Sequence, residues 1–92
     1  VAMSTIMVIK NTLKDYDQWR SVFDANKDTR LEYGIEEKHL YQSKADPNVV
    51  IAVLEVEDVA RLQEFMKHIQ ETGIMDEAGV LDSEPTPCND VT

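Results

Sequence analysis

Six side chains in this sequence have types and spacings that could do chemistry. His39 and Tyr41 stand two apart in a stretch, Ile35–Ala45, that reads as a β-strand, so they share one of its faces. A histidine titrates near neutral pH and could act there as a general acid or base. Trp19, Phe23 and Phe65 could sandwich a planar aromatic molecule. Arg30, one or two helical turns beyond Phe23, could hold a carboxylate or a phenolate. Each has a plainer reading. His39 could be an ordinary edge-strand residue, exposed or paired with Glu37. The three aromatics have the spacing that any helix packed on a sheet requires, and Arg30 could form an ion pair with Asp28, Glu32 or a partner carboxylate.

Other chemistries find no support. His39, His68 and Cys88 do not have metal-ligand spacing, and Glu36 and Glu37 point to opposite faces of their strand, so no metal is expected. Gly34, Gly73 and Gly79 are isolated and build no phosphate-cradling loop; no serine lies in a nucleophile elbow. No cofactor is expected. A single cysteine excludes an internal disulfide and fits a reducing compartment. The net charge of −9 is uneven, with 7 basic and 8 acidic side chains in residues 1–46 against 2 and 10 in residues 47–92. Such a surface repels phosphate backbones, which argues against nucleic acid and anionic membranes. The longest apolar run near the start, Ile6–Ile9, is too short for a signal peptide or a membrane span. The expectation is a cytoplasmic protein of one domain over residues 1–92, with Met3 as the natural start.

The elements that must position these residues follow from periodicity. Met3–Asn11 reads as a strand with apolar residues on both faces. Asp15 starts a helix, with Gln18 three residues on in the capping-box relation. Tyr16, Trp19, Val22 and Phe23 form its apolar face, and the helix runs to Tyr33, where Gly34 ends it. Ile35–Ala45 is a more polar strand. The turn Asp46-Pro47-Asn48 joins it to Val49–Val56, apolar on both faces, as an antiparallel hairpin. Glu57-Asp58 caps a second helix with the stripe Val59, Leu62, Phe65, Met66 and Ile69, which Gly73 breaks; Ile74–Ala78 reads as a short helical turn. From Val80 onward the pattern is weak, and Pro85 and Pro87 confine any strand there to an edge.

The order βαββαβ gives an α+β, ferredoxin-like sandwich, and right-handed crossovers give an antiparallel sheet of order 4-1-3-2. Two helices cover one face of that sheet. The Val, Ile and Met side chains on the other need a cover, and a second copy of the chain, related by twofold symmetry, supplies one. A homodimer through the open sheet face is therefore expected.

Asp15-Tyr16-x-x-Trp19-x-x-x-Phe23, Arg30 with Gly34, Leu40-Tyr41, Asp46-Pro47-Asn48-Val49-Val50, Glu57-Asp58 with Phe65, and Ala78-Gly79-Val80 together resemble the dimeric α/β-barrel proteins. That group contains the antibiotic-biosynthesis-type monooxygenases and small polyketide cyclases; the chain looks most like its uncharacterised small members. Val80–Val91 departs from the pattern, having two prolines and no aromatic where such proteins usually end in an aromatic-rich strand. The resemblance implies a dimeric barrel with a pocket between the sheet and the helices of each protomer. If the odd face of the second strand points into it, His39 and Tyr41 line that pocket with Trp19 and Phe23. It also implies cofactor-independent oxygenation or cyclisation/isomerisation of an apolar or aromatic molecule. His39 would then transfer the proton, with Tyr41 and Arg30 steadying a developing enolate. The alternative is a non-catalytic binding or interaction module whose pocket is filled by side chains.

Overall fold

The computed structural model describes residues 5–91. Met3 and Ser4, expected to begin the first strand, lie outside the described residues. The chain forms β1 (Thr5–Leu13), α1 (Tyr16–Ala25), α2 (Lys27–Glu32), β2 (Ile35–Gln42), β3 (Val49–Val56), α3 (Val59–Thr72), α4 (Ile74–Glu77) and β4 (Val80–Asn89). The four strands make one antiparallel sheet of order β2-β3-β1-β4, the expected ferredoxin-like order read from the other edge. Among the described residues, no helix is long and apolar enough to cross a membrane.

Local chemistry sets the boundaries. The Asp15 carboxylate accepts the Gln18 backbone N–H at 3.0 Å, as an N-cap should. The Gln18 side chain does not close a capping box; its Nε2 donates instead to the Glu77 carbonyl at 2.8 Å and ties α1 to the end of α4. The single helix expected over Asp15–Tyr33 is two. At Asn26 the backbone leaves helical geometry (φ −99, ψ 11), and its amide Nδ2 donates to the Val22 carbonyl at 2.8 Å. This competition between side chain and backbone is what disfavours Asn inside helices. The Asp46-Pro47-Asn48 turn has a second task. Asn48 Oδ1 accepts the Tyr16 N–H (3.0 Å) and its carbonyl accepts the Leu13 N–H (2.8 Å), so the hairpin turn also fixes the start of α1.

The helix-facing side of the sheet is set by register. Met7, Asn11 and Leu13 on β1 and Val50, Ala52, Leu54 and Val56 on β3 are buried against the helices. α3 packs through Phe65, Leu62 and Ile69 on Met7, Ile35, Ala52, Leu54 and Val56. α1 packs through Trp19, Val22 and Phe23 on Leu13, Val50 and Ala78. Leu40 touches both groups. The opposite side of the two central strands presents Ile6, Val8, Ile51 and Val53, all half-buried with no helix above them. β4 pairs with β1 as an edge strand, with Pro87 opposite Met7 and Pro85 opposite Ile9, and the register shifts at Leu81 between Thr12–Asp82 and Leu13–Val80.

β2 carries the irregularity that matters most. Ile35 pairs with Val56 and Glu37 with Leu54, so both lie on the helix side; the register then slips, and His39 rather than Lys38 pairs with Val53. The extra residue is a β-bulge, and one extra residue exchanges the two faces of everything beyond it. Leu40, opposite Ala52, therefore faces the helices, while His39 and Tyr41, opposite Val53 and Ile51, join the open face. Lys38, unpaired in the ladder, sets Nζ 3.3 Å from Glu36 and 3.8 Å from Glu55, two carboxylates directly opposite each other.

Candidate functional site

Helices and sheet do not close completely on one another. Between them is a cavity of about 300 Å³. Its floor is the helix side of the sheet: Met7, Ile9 and Asn11 on β1, Ile35 on β2, Ala52 and Leu54 on β3, and Val80, Ser83 and Pro85 on β4. Trp19, Val22 and Phe23 from α1 and Leu62, Phe65 and Ile69 from α3 roof it, with Arg30 from α2 in the wall. Ala52 is the smallest side chain of the floor and lies on a central strand, which leaves room above it. A cavity of roughly 150 Å³ lined by aliphatic and aromatic groups stays dry and accepts benzene; twice that volume suits a two-ring molecule.

The aromatic wall is ordered by ring contacts. Trp19 is 3% exposed and stacks on Phe23 with centroids 4.7 Å apart and planes 24° from parallel. Tyr33 tilts against Phe65 at 5.5 Å. The Arg30 guanidinium carbon lies 3.8 Å from the Phe23 ring centroid, a cation–π contact that orients the guanidinium plane.

Arg30 is 5% exposed. Its Nη1 donates to the Phe23 carbonyl at 2.7 Å. Its Nη2 is buried and has no hydrogen-bond acceptor; Glu37 Oε2, the nearest charge partner, stands 3.9 Å away, outside hydrogen-bond range. Burial pushes the guanidinium below its ordinary pKa, an effect that Glu37 and then Asp24 partly offset. The group keeps its proton nonetheless, as arginine does in proteins. Asn11 is the second buried polar residue of the wall, and its Oδ1 also has no partner. Among the described residues lining the cavity, Arg30 alone is ionisable: no carboxylate, imidazole, thiol or phenol is there.

Four of the six residues singled out from sequence thus meet at one cavity: Trp19, Phe23, Phe65 and Arg30. His39 and Tyr41, which would join them if the odd face of the second strand pointed to the helices, are not at the cavity. Both are exposed on the other side of the sheet, stacked on each other with centroids 5.7 Å apart and planes 9° from parallel. The bulge at Lys38 is the cause, since unbroken alternation from Ile35 would have turned them toward the helices. Arg30 pairs, at long range, with Glu37 rather than with Asp28 or Glu32. Sequence reasoning missed Asn11. The signal was there: it is the one strongly polar residue in the inward series Met7, Ile9, Asn11, Leu13.

Sheet order, helix placement and the helix–sheet cavity define an α+β protein of the ferredoxin-like class. Solved structures share that fold. PA3566 from Pseudomonas aeruginosa superposes with a TM-score of 0.76 at 14% identity, over 99% of this chain and 97% of that one. A candidate antibiotic biosynthesis monooxygenase from Nitrosomonas europaea gives 0.76 at 8% identity, over 96% and 90%. A dimeric ferredoxin-like protein from an uncultured marine organism gives 0.63 at 8% identity, over 99% and 90%. The resemblance to dimeric α/β-barrel proteins is thus one of fold. The chain itself belongs to the family described as a domain of unknown function, DUF3764, whose model matches residues 3–85. A comparison with curated proteins finds no match.

Proposed function

We propose that the protein holds a small apolar or aromatic molecule in the helix–sheet cavity, and that it does so as a homodimer joined through the open sheet faces. One observation carries the binding reading: an apolar space of about 300 Å³ has a buried arginine in its wall with a donor left over. That volume lies at the lower end of the range for ligand pockets, roughly 300–1,000 Å³, and an apolar lining with a few polar groups is their usual composition. The dimer reading is supported by the uncovered central side chains Ile6, Val8, Ile51 and Val53 and by the dimeric ferredoxin-like neighbour.

Calorimetric titration with 2-naphthol, a neutral two-ring probe, tests the cavity. The expected result is one site per chain with Kd of about 10 μM to 1 mM, the range accessible to so small a molecule. Ala52→Phe should fill the space and abolish the heat while leaving the circular dichroism spectrum unchanged. Undiminished binding by a folded Ala52→Phe variant would remove the cavity as the site.

One observation favours oxygenation of the bound molecule over simple binding: the fold neighbour described as a candidate antibiotic biosynthesis monooxygenase. In that reading Arg30 steadies the anion of an acidic substrate, and the proton leaves through the substrate's own ionisation, because the lining supplies no base among the described residues. Oxygen consumption with hydroxynaphthalene and anthrone-type substrates, lost in Arg30→Met, would bear it out; oxygen consumption unaffected by that substitution would count against it.

A further inference from the structure

The cavity's polar chemistry is narrower than its shape. Arg30 puts a full positive charge in a wall that is otherwise neutral, and its donors are unequally used: Nη1 is taken by the Phe23 carbonyl, Nη2 by nothing. Buried polar groups in native proteins nearly always have a partner, and an unmet donor on a charged group is among the costlier exceptions. Glu37 lowers the cost through space but at 3.9 Å does not accept the hydrogen bond. Water is a poor remedy in this lining, because a buried water needs about two to four polar partners and the wall offers few. The Phe23 ring fixes the guanidinium plane, so the donor is presented in a set direction.

We propose that the cavity selects a ligand bearing a single carboxylate, held by Arg30, with the apolar remainder between Trp19, Phe23, Phe65 and the sheet. This rests on the reading that the cavity takes a small apolar molecule and names the class within it. A carboxylate matches one guanidinium in charge and in its paired acceptors. A phosphate ester, with about two negative charges, would exceed the one cation lining the cavity, in a protein of net charge −9. The apolar lining strengthens the ion pair by lowering the local dielectric.

The test compares 2-naphthoate with its neutral isostere 2-naphthamide by calorimetry on the intact protein. The naphthoate should bind about tenfold tighter or more, the size of one charge-assisted hydrogen bond. Arg30→Met should erase that preference. Glu37→Gln, which removes the carboxylate 3.9 Å from Arg30 Nη2, should tighten naphthoate binding and leave naphthamide unchanged; it also keeps the proposal testable if Arg30→Met does not fold. Equal affinities for the two probes, or a Glu37→Gln variant that weakens naphthoate, would overturn the carboxylate proposal while leaving the cavity reading in place. Binding of none of the three probes, 2-naphthol included, would overturn both.

Discussion

Arg30 is a charge that the fold takes out of water, with the carboxylates of Glu37, 3.9 Å away, and Asp24 balancing it in part. Replacing a buried ion pair by apolar residues of similar volume is often neutral or stabilising by about 1–4 kcal/mol, and Glu37, the partner that Arg30→Met leaves behind, is 28% exposed and keeps contact with water. Losing the Nη1 bond to the Phe23 carbonyl works the other way, at about 1 kcal/mol. Arg30→Met is therefore expected to unfold in urea at or above the parent's midpoint while losing ligand preference, the pattern of a residue kept for binding. A loss of more than about 3 kcal/mol would mark Arg30 as structural instead. At this scale the sequence was informative where helical spacing decides position. Trp19, Phe23 and Arg30 follow one helical face closely enough to survive the unforeseen break at Asn26. Asn11 went unread because an isolated polar residue near a strand end looks like the end of the strand.

Strand β2 shows why faces are harder to read than elements. Its existence, its polarity and its edge position were legible from Ile35–Ala45, and so were its turn and its partner strand. The bulge was not. Nothing in Glu37-Lys38-His39-Leu40 marks one residue as extra; the slip becomes visible only when Leu40 must cover both core groups and Lys38 bridges Glu36 and Glu55. The glycine that precedes this strand is a sharper constraint. Gly34 has φ +72, and a Cβ there would come 3.1–3.3 Å from the side chains of Glu57 and Arg61. Gly73 has φ +67 with nothing within 4 Å. Gly73→Ala should cost about 1 kcal/mol for the left-handed backbone alone. Gly34→Ala should cost more, about 2 kcal/mol, since side chains must also move. Equal unfolding midpoints for the two variants would show that the crowding at Gly34 relaxes freely.

For the molecule as a whole, the strand order followed from right-handed crossovers, and hydrophobicity agreed with it, because only the two central strands are apolar on both sides. The same pattern leaves the two sheet faces unlike: one holds helices and a cavity, and the other carries the apolar side chains through which the proposed dimer would form. A buried aspartate at Val53, in the middle of the open face, would be unpaired at that interface, so Val53→Asp should convert the dimer to monomer in light scattering without loss of secondary structure. A parent protein that is already monomeric would remove the dimer proposal. A ligand entering on the helix side would meet Trp19, the chain's one tryptophan, whereas His39 reports from the other side. In a magnetic resonance titration of isotope-labelled protein with 2-naphthol, the indole N–H signal of Trp19 should shift while the His39 ring signals stay in place. Movement at His39 with none at Trp19 would contradict the account.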